Sequence, residues 1–251
     1  MIAFTREHIV LVTGAGSGIG KAVALTCNAL GAAVIANGRD RAKLENAKKE
    51  SAHPEHFHAE PLDLLADMDA LPQWVKSLKE RYGKLRCLVC AAGHAGIMPL
   101  REYSRAEAGR FFDIHFHVPL LLSKGFADRR NNVGPGSSIV FIASAAAIAK
   151  EAGLAAYGGA KAALMAATAV LSKELAPQKI RVNAVAPAVV RTPMGEAYLS
   201  FLSDEAAQKE LAAYPFGIGE PRDVADLMAF LLSDAGKWIT GQTIVMDGGR
   251  Y

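Results

Sequence analysis

The sequence predicts an α/β fold: one doubly wound parallel sheet of about seven strands, helices on both faces, in a single domain over residues 1–251. Short apolar stretches rich in β-branched residues, HIVLVT, AAVIA, LRCLVCA, SIVFIA, IRVNAVA and TIVMD, read as strands buried on both faces. Longer segments with apolar residues at helical spacing lie between them. Such alternation implies parallel strands joined by right-handed helical crossovers. No Pro- or Ser-rich linker and no internal repeat divides the chain.

Taken in order, the first strand ends in Thr13-Gly14-Ala15-Gly16-Ser17-Gly18-Ile19-Gly20, and a helix follows to about Gly31. Glycines at that junction allow a tight turn and let a phosphate approach free N–H groups at a helix N-terminus, so the segment suits a dinucleotide. The second strand runs out as VIANGRD. Met68, Leu71, Val75 and Leu78 mark a helix before LRCLVCA, and RRNNVGPGS, from Arg129 to Ser137, reads as a surface connection into SIVFIA. The alanine-rich helix from Tyr157 to Leu175 is suited to close packing. Pro221 and Asp223 announce a last helix carrying Val224, Leu227, Met228 and Leu231, and TIVMD completes the sheet.

Composition limits the function. Apolar residues are 51% and charged residues 21% of the chain, enough for a large core. The net charge of +3 is scattered, without the basic stripe of a nucleic-acid or membrane-surface protein. The N-terminus lacks the order of a signal peptide, and no apolar run reaches the roughly 18 residues of a membrane span, so a cytoplasmic protein is expected. Cys27, Cys87 and Cys90 suit a reducing compartment; the CxxC lies within a strand, where a redox or metal role is not expected. His53, His56 and His58 read as loop and strand-edge histidines rather than metal ligands.

Two further stretches carry chemistry. At the end of the second strand of a dinucleotide fold, an acidic residue would read the ribose 2′-hydroxyl. Here that place holds Gly38 and then Arg39, whose guanidinium could pair with a 2′-phosphate, which favours NADP(H) over NAD(H); a solvated loop arginine would be spelled the same way. In YGGAK, Tyr157 and Lys161 stand four apart and share a helix face. A neighbouring ammonium is expected to lower the phenol from its usual pKa of about 10, making it a usable acid/base. Hydride transfer to a carbonyl leaves charge on oxygen and calls for a second donor, for which Ser144 at the end of SIVFIAS is the candidate.

TGxxxGIG at Thr13 to Gly20, the Ser144-Tyr157-Lys161 spacing, IRVNAVAP, TPM at Thr192 to Met194 and ITGQTIVMDGG together resemble the short-chain dehydrogenase/reductase family over nearly the whole chain. The resemblance implies a Rossmann-type fold and a ketone or secondary-alcohol substrate. It implies a catalytic Ser144, Tyr157 and Lys161, with Gly14, Ser17, Gly18, Ile19, Gly20, Arg39, Asp63, Ala92, Gly93, Tyr157, Lys161, Pro187 and Thr192 at the cofactor. It also implies a substrate lid around 190–217, whose Tyr198, Leu199, Phe201, Tyr214 and Phe216 either line a pocket or pack the lid, and a homotetramer or homodimer formed through the helices flanking the fifth strand. The chain departs from the family in three places. Cys90-Ala91-Ala92-Gly93 stands for NNAG, with less order expected near the ribose; His115 stands where an asparagine completes the catalytic tetrad; and Ala188 replaces a glycine. If His115 protonated, it would set a second cation beside Lys161; otherwise it faces a helix interface. These departures leave open a second reading, a dinucleotide-binding protein with little turnover.

Overall fold

The computed structural model describes residues 2–149 and 151–251. Its strands are β1 (Ile9–Thr13), β2 (Ala33–Gly38), β3 (Phe57–Pro61), β4 (Leu85–Cys90), β5 (Ser138–Ile142), β6 (Arg181–Pro187) and β7 (Thr243–Met246). They form one sheet, order β3-β2-β1-β4-β5-β6-β7, and every pairing is parallel. The helices are α1 (Gly18–Ala29), α2 (Arg41–Glu50), α3 (Leu71–Tyr82), α4 (Arg105–Phe112), α5 (Val118–Ala127), α6 (Ala155–Leu175), α7 (Pro193–Phe201), α8 (Asp204–Ala212) and α9 (Pro221–Leu232).

Strand alternation explains the two layers. Val10 and Val12 of β1 join Val34 and Ala36 of β2 in a core with α1 and α9, while Ile9 and Leu11 point the other way into a core with α3 and α5. Each fully buried Leu, Ile or Phe contributes about 1.5–3 kcal/mol, so a strand apolar at every position stabilises both faces. Strand order reverses between β1 and β4, where a crevice opens at the carboxyl ends of the strands.

The loops are anchored as the turn chemistry anticipates. The Asp223 carboxylate accepts from the Glu220 backbone N–H at 2.8 Å, which starts α9 at the expected Pro221. In the Arg129–Ser137 connection, Asn131 and Asn132 are buried, and their side-chain amides donate to the Gly125 and Phe126 carbonyls, each at 2.8 Å. They satisfy the last turn of α5.

Four local readings are corrected or refined. β7 is not fully buried, because it is the sheet edge; Val245 is 38% exposed. α3 begins at Leu71, so Met68 belongs to the preceding turn, still packed against the core. Cys87 and Cys90 project into opposite cores, and burial pushes the thiol of Cys87 up to about 12. His53 and His56 flank Glu55 at 3.8 Å, whereas His58 stacks on Tyr82.

Candidate active site

A cleft of about 1050 Å³ lies over the carboxyl ends of the strands. Its floor begins where β1 turns into α1. Gly14 has φ +69°, and a Cβ there would come within 2.8 Å of the Ala92 backbone N, so only glycine lets the loop lie against the end of β4. The Thr13 hydroxyl accepts from the Ala91 and Ala92 N–H groups at 3.1 and 3.2 Å and donates to the Val89 carbonyl at 3.3 Å. The threonine before the first glycine thus anchors the backbone of Ala91 and Ala92, a contact that does not depend on the asparagine side chains of the NNAG pattern. Ser17 opens α1, and the free N–H groups of that first turn face the cleft as a ready anion site.

At the end of β2, the Asn37 side chain donates to the Glu60 and Leu62 carbonyls, which fixes the path of Gly38 and Arg39. Arg39 is exposed along the cleft; Asp40 lines it too and caps α2, its carboxylate accepting from the Lys43 N–H at 3.2 Å. Lys43 lines the cleft as well, a second cation beside Arg39 that the sequence reading missed. Its only signal was its place in the first turn of the following helix. Asp63, Gly93, Pro187 and Thr192 line the same cleft; Thr192 caps α7 by accepting from the Gly195 N–H at 3.0 Å.

Ser144, Tyr157 and Lys161 come together as expected. Ser144 follows β5, and its hydroxyl accepts from the Ala146 N–H at 3.1 Å, which orients it. Lys161 is buried on α6, donates to the Ile142 carbonyl at 2.6 Å and lies 5.9 Å from the centre of the Tyr157 ring. The electrostatics correct one expectation. Burial raises the phenol of Tyr157 above its ordinary pKa, with the Ser144 hydroxyl acting in the opposite sense. The same burial lowers Lys161 to about 7. Desolvation is the largest cause of the shift in each group.

His115 does not line the cleft. It lies behind it, on a π-helical turn between α4 and α5, 2% exposed. Its Nε2–H donates to the His94 carbonyl at 2.6 Å, and its ring meets Tyr157 edge to face at 5.2 Å. The ring fills the space that a side chain at Gly93 would need. Burial, and then the nearby Lys161, hold its pKa well below the ordinary value, so His115 is neutral and no second cation forms beside Lys161. Its Nδ1 is buried without a partner among the described residues.

On the lid side, Tyr198, Phe201 and Tyr214 line the cleft, while Phe216 is 90% exposed and does not. Glu210 of α8 and Tyr251 also line it. The sequence reading found neither, because nothing local announces a contact between the segment after β7 and α8.

Comparison with known proteins places this geometry. The family model described as enoyl-(acyl carrier protein) reductase matches residues 14–250. The chain is 37% identical to D-erythrulose reductase of Gallus gallus, over 97% of this chain and 96% of the relative. It is 33% identical to 3-oxoacyl-(acyl-carrier-protein) reductase FabG of Thermotoga maritima, over 96% of each. Among solved structures, a short-chain dehydrogenase/reductase of Brucella melitensis, titled glucose/ribitol dehydrogenase, superposes with a TM-score of 0.90 at 33% identity, covering 100% of this chain and 99% of that one. A 7α-hydroxysteroid dehydrogenase complexed with NADH and 7-oxoglycochenodeoxycholic acid superposes with a TM-score of 0.89 at 27% identity, covering 99% and 95%.

Proposed function

The chain belongs to the short-chain dehydrogenase/reductase family and is an NAD(P)-dependent enzyme acting on CH–OH and C=O groups; from that premise we propose that it is an NADP(H)-dependent reductase of a ketone, or equally a dehydrogenase of a secondary alcohol, with Tyr157 as general acid/base. The observation that carries this reading is the meeting of Ser144, Tyr157 and Lys161 in the same cleft as the glycine loop and Arg39.

The nicotinamide supplies the hydride. The protein would seat the pyrophosphate on the N–H groups of Ser17 to Gly20. Arg39 and Lys43 would take a 2′-phosphate, and no acidic side chain stands at Gly38 to oppose it. Ser144 donates to the substrate oxygen as charge develops there, and the Tyr157 phenol delivers the proton. Lys161 would hold the ribose and, when protonated, stabilise the phenolate left behind. His115, neutral and bonded to the His94 carbonyl, fixes the Gly93 segment and the back of the Tyr157 ring in place of the family asparagine.

No helix among the described residues is long and apolar enough to cross a membrane, and the three thiols are buried; both support a cytoplasmic setting. Association as a homodimer or homotetramer would use α5 and α6, where Val170 is 63% exposed. The test is oxidation of NADPH and NADH in turn against a panel of ketones. NADPH consumption that greatly exceeds NADH consumption supports the reading. Tight NADPH binding with no turnover on any ketone or alcohol would favour a dinucleotide-binding protein instead.

A further inference from the structure

Glu151, Tyr198, Glu210 and Tyr251 line the lid side of the cleft and take no part in the reaction described above. One residue ties Glu151, Glu210 and Tyr251 together. Arg250 Nη2 donates to Glu210 Oε2 on α8 at 2.7 Å and to Glu151 Oε1, ahead of α6, at 3.2 Å. Its guanidinium lies 5.7 Å from the ring centre of Tyr214 and 5.2 Å from that of Tyr251. The other oxygen of Glu210 accepts from the Tyr214 hydroxyl at 3.1 Å. Arg250 itself does not line the cleft.

The backbone holds the guanidinium there. Asp247 accepts from the Gly249 and Tyr251 N–H groups at 3.1 and 3.0 Å, and the Phe216 N–H donates to the Gly248 carbonyl at 3.2 Å. Gly248 has φ +57°, and a Cβ there would come within 2.7 Å of the Gly217 carbonyl oxygen. The segment 247–251 is thus seated on the end of the lid.

One arginine against two carboxylates leaves this wall negative among the described residues, with the cation consumed. Burial raises the Tyr198 phenol to about 12, so it stays a donor. Donor phenols beside a carboxylate match a hydroxyl group, which gives one hydrogen bond and receives another. An anionic group would meet Glu151, whose cationic partner among the described residues, Arg250, is already shared with Glu210.

We propose that the segment after β7 builds the far wall of the substrate site, clamped by Arg250, and that this wall selects neutral, hydroxyl-bearing ketones and turns away anionic ones. The selectivity rests on the reductase reading; the clamp does not. Two probes of nearly equal size, 4-hydroxy-2-butanone and acetoacetate, are compared with NADPH on the full chain. The neutral probe should have a kcat/KM about tenfold higher or more, and Glu151→Gln should narrow that ratio at least about threefold. Hydrogen exchange reads the clamp without turnover. In Arg250→Gln, the amides of α8 should exchange about tenfold faster while those of α1 are unchanged, with partial recovery in Arg250→Lys. Should neither probe react, their protection of α8 amides in the presence of NADPH decides the selectivity. Equal reaction or protection by acetoacetate, or no protection by either, overturns the selectivity. Unchanged α8 exchange in Arg250→Gln overturns the clamp.

Discussion

Lys161 is a lysine buried in an enzyme crevice with a carbonyl as its hydrogen-bond partner, and its lowered pKa makes it a liability for folding. The sign follows from proton counting. In the folded protein it titrates near 7, against an ordinary 10.5, so between those values the unfolded chain binds more protons and stability rises with pH. Below 7 both states are charged and the full penalty stands. Replacing Lys161 by Met should therefore raise the Tm at pH 6, and the gain should shrink as the pH is raised from 7 to 10, measured by thermal denaturation across that range. The same substitution should abolish turnover. A second prediction at this scale concerns cofactor choice. Arg39→Ala with Lys43→Ala should weaken NADPH binding at least about tenfold, since charge-assisted hydrogen bonds contribute ~1.5–3 kcal/mol, and should leave NADH binding within about twofold, as read by titration calorimetry. Arg39 and the Ser144, Tyr157, Lys161 set were legible from residue type and spacing. Lys43 was not, because its place along the cleft depends on how Asp40 turns the first residues of α2. The neutral state of His115 was equally hidden, since burial is a property of the packed chain.

At the scale of elements, six of the seven strands and the first helix were legible because those strands are predominantly apolar and the glycine loop marks its own junction, whereas β3, FHAEP at the other sheet edge, has no such run. What could not be read was compensation between elements. The loss of asparagines at Cys90 and Ala91 looked like a weakness near the ribose, yet the backbone of this turn is held independently of those side chains, by the Thr13 hydroxyl of the neighbouring strand accepting from the Ala91 and Ala92 N–H groups. Thr13→Val keeps the shape and removes that oxygen, leaving two N–H groups without their acceptor. It should destabilise the protein by about 1–3 kcal/mol in urea denaturation and raise the Kd for NADPH severalfold. An unchanged denaturation midpoint would show that the threonine does not hold this junction. β7 illustrates the other limit: its apolar letters suggested full burial, but edge position is decided by strand order, which periodicity does not encode.

Over the whole molecule, the fold sets the chemistry by bringing distant segments to one crevice. The glycine loop after β1, the end of β2, the residue after β5 and the start of α6 meet where strand order reverses. The lid and the segment after β7 then close the side that strands leave open, through contacts 40 and 99 positions apart in sequence. That closure was the least legible part of the molecule, since long-range ion pairs leave no local pattern. The central claim is that a half-buried phenol transfers a proton in step with hydride transfer, and Tyr157→Phe tests it most directly. Assayed with NADPH and the best ketone from the panel, the variant should lose on the order of 10²-fold or more in kcat while NADPH affinity stays within about threefold. A variant that keeps wild-type kcat would contradict the assignment of Tyr157 and with it the mechanism.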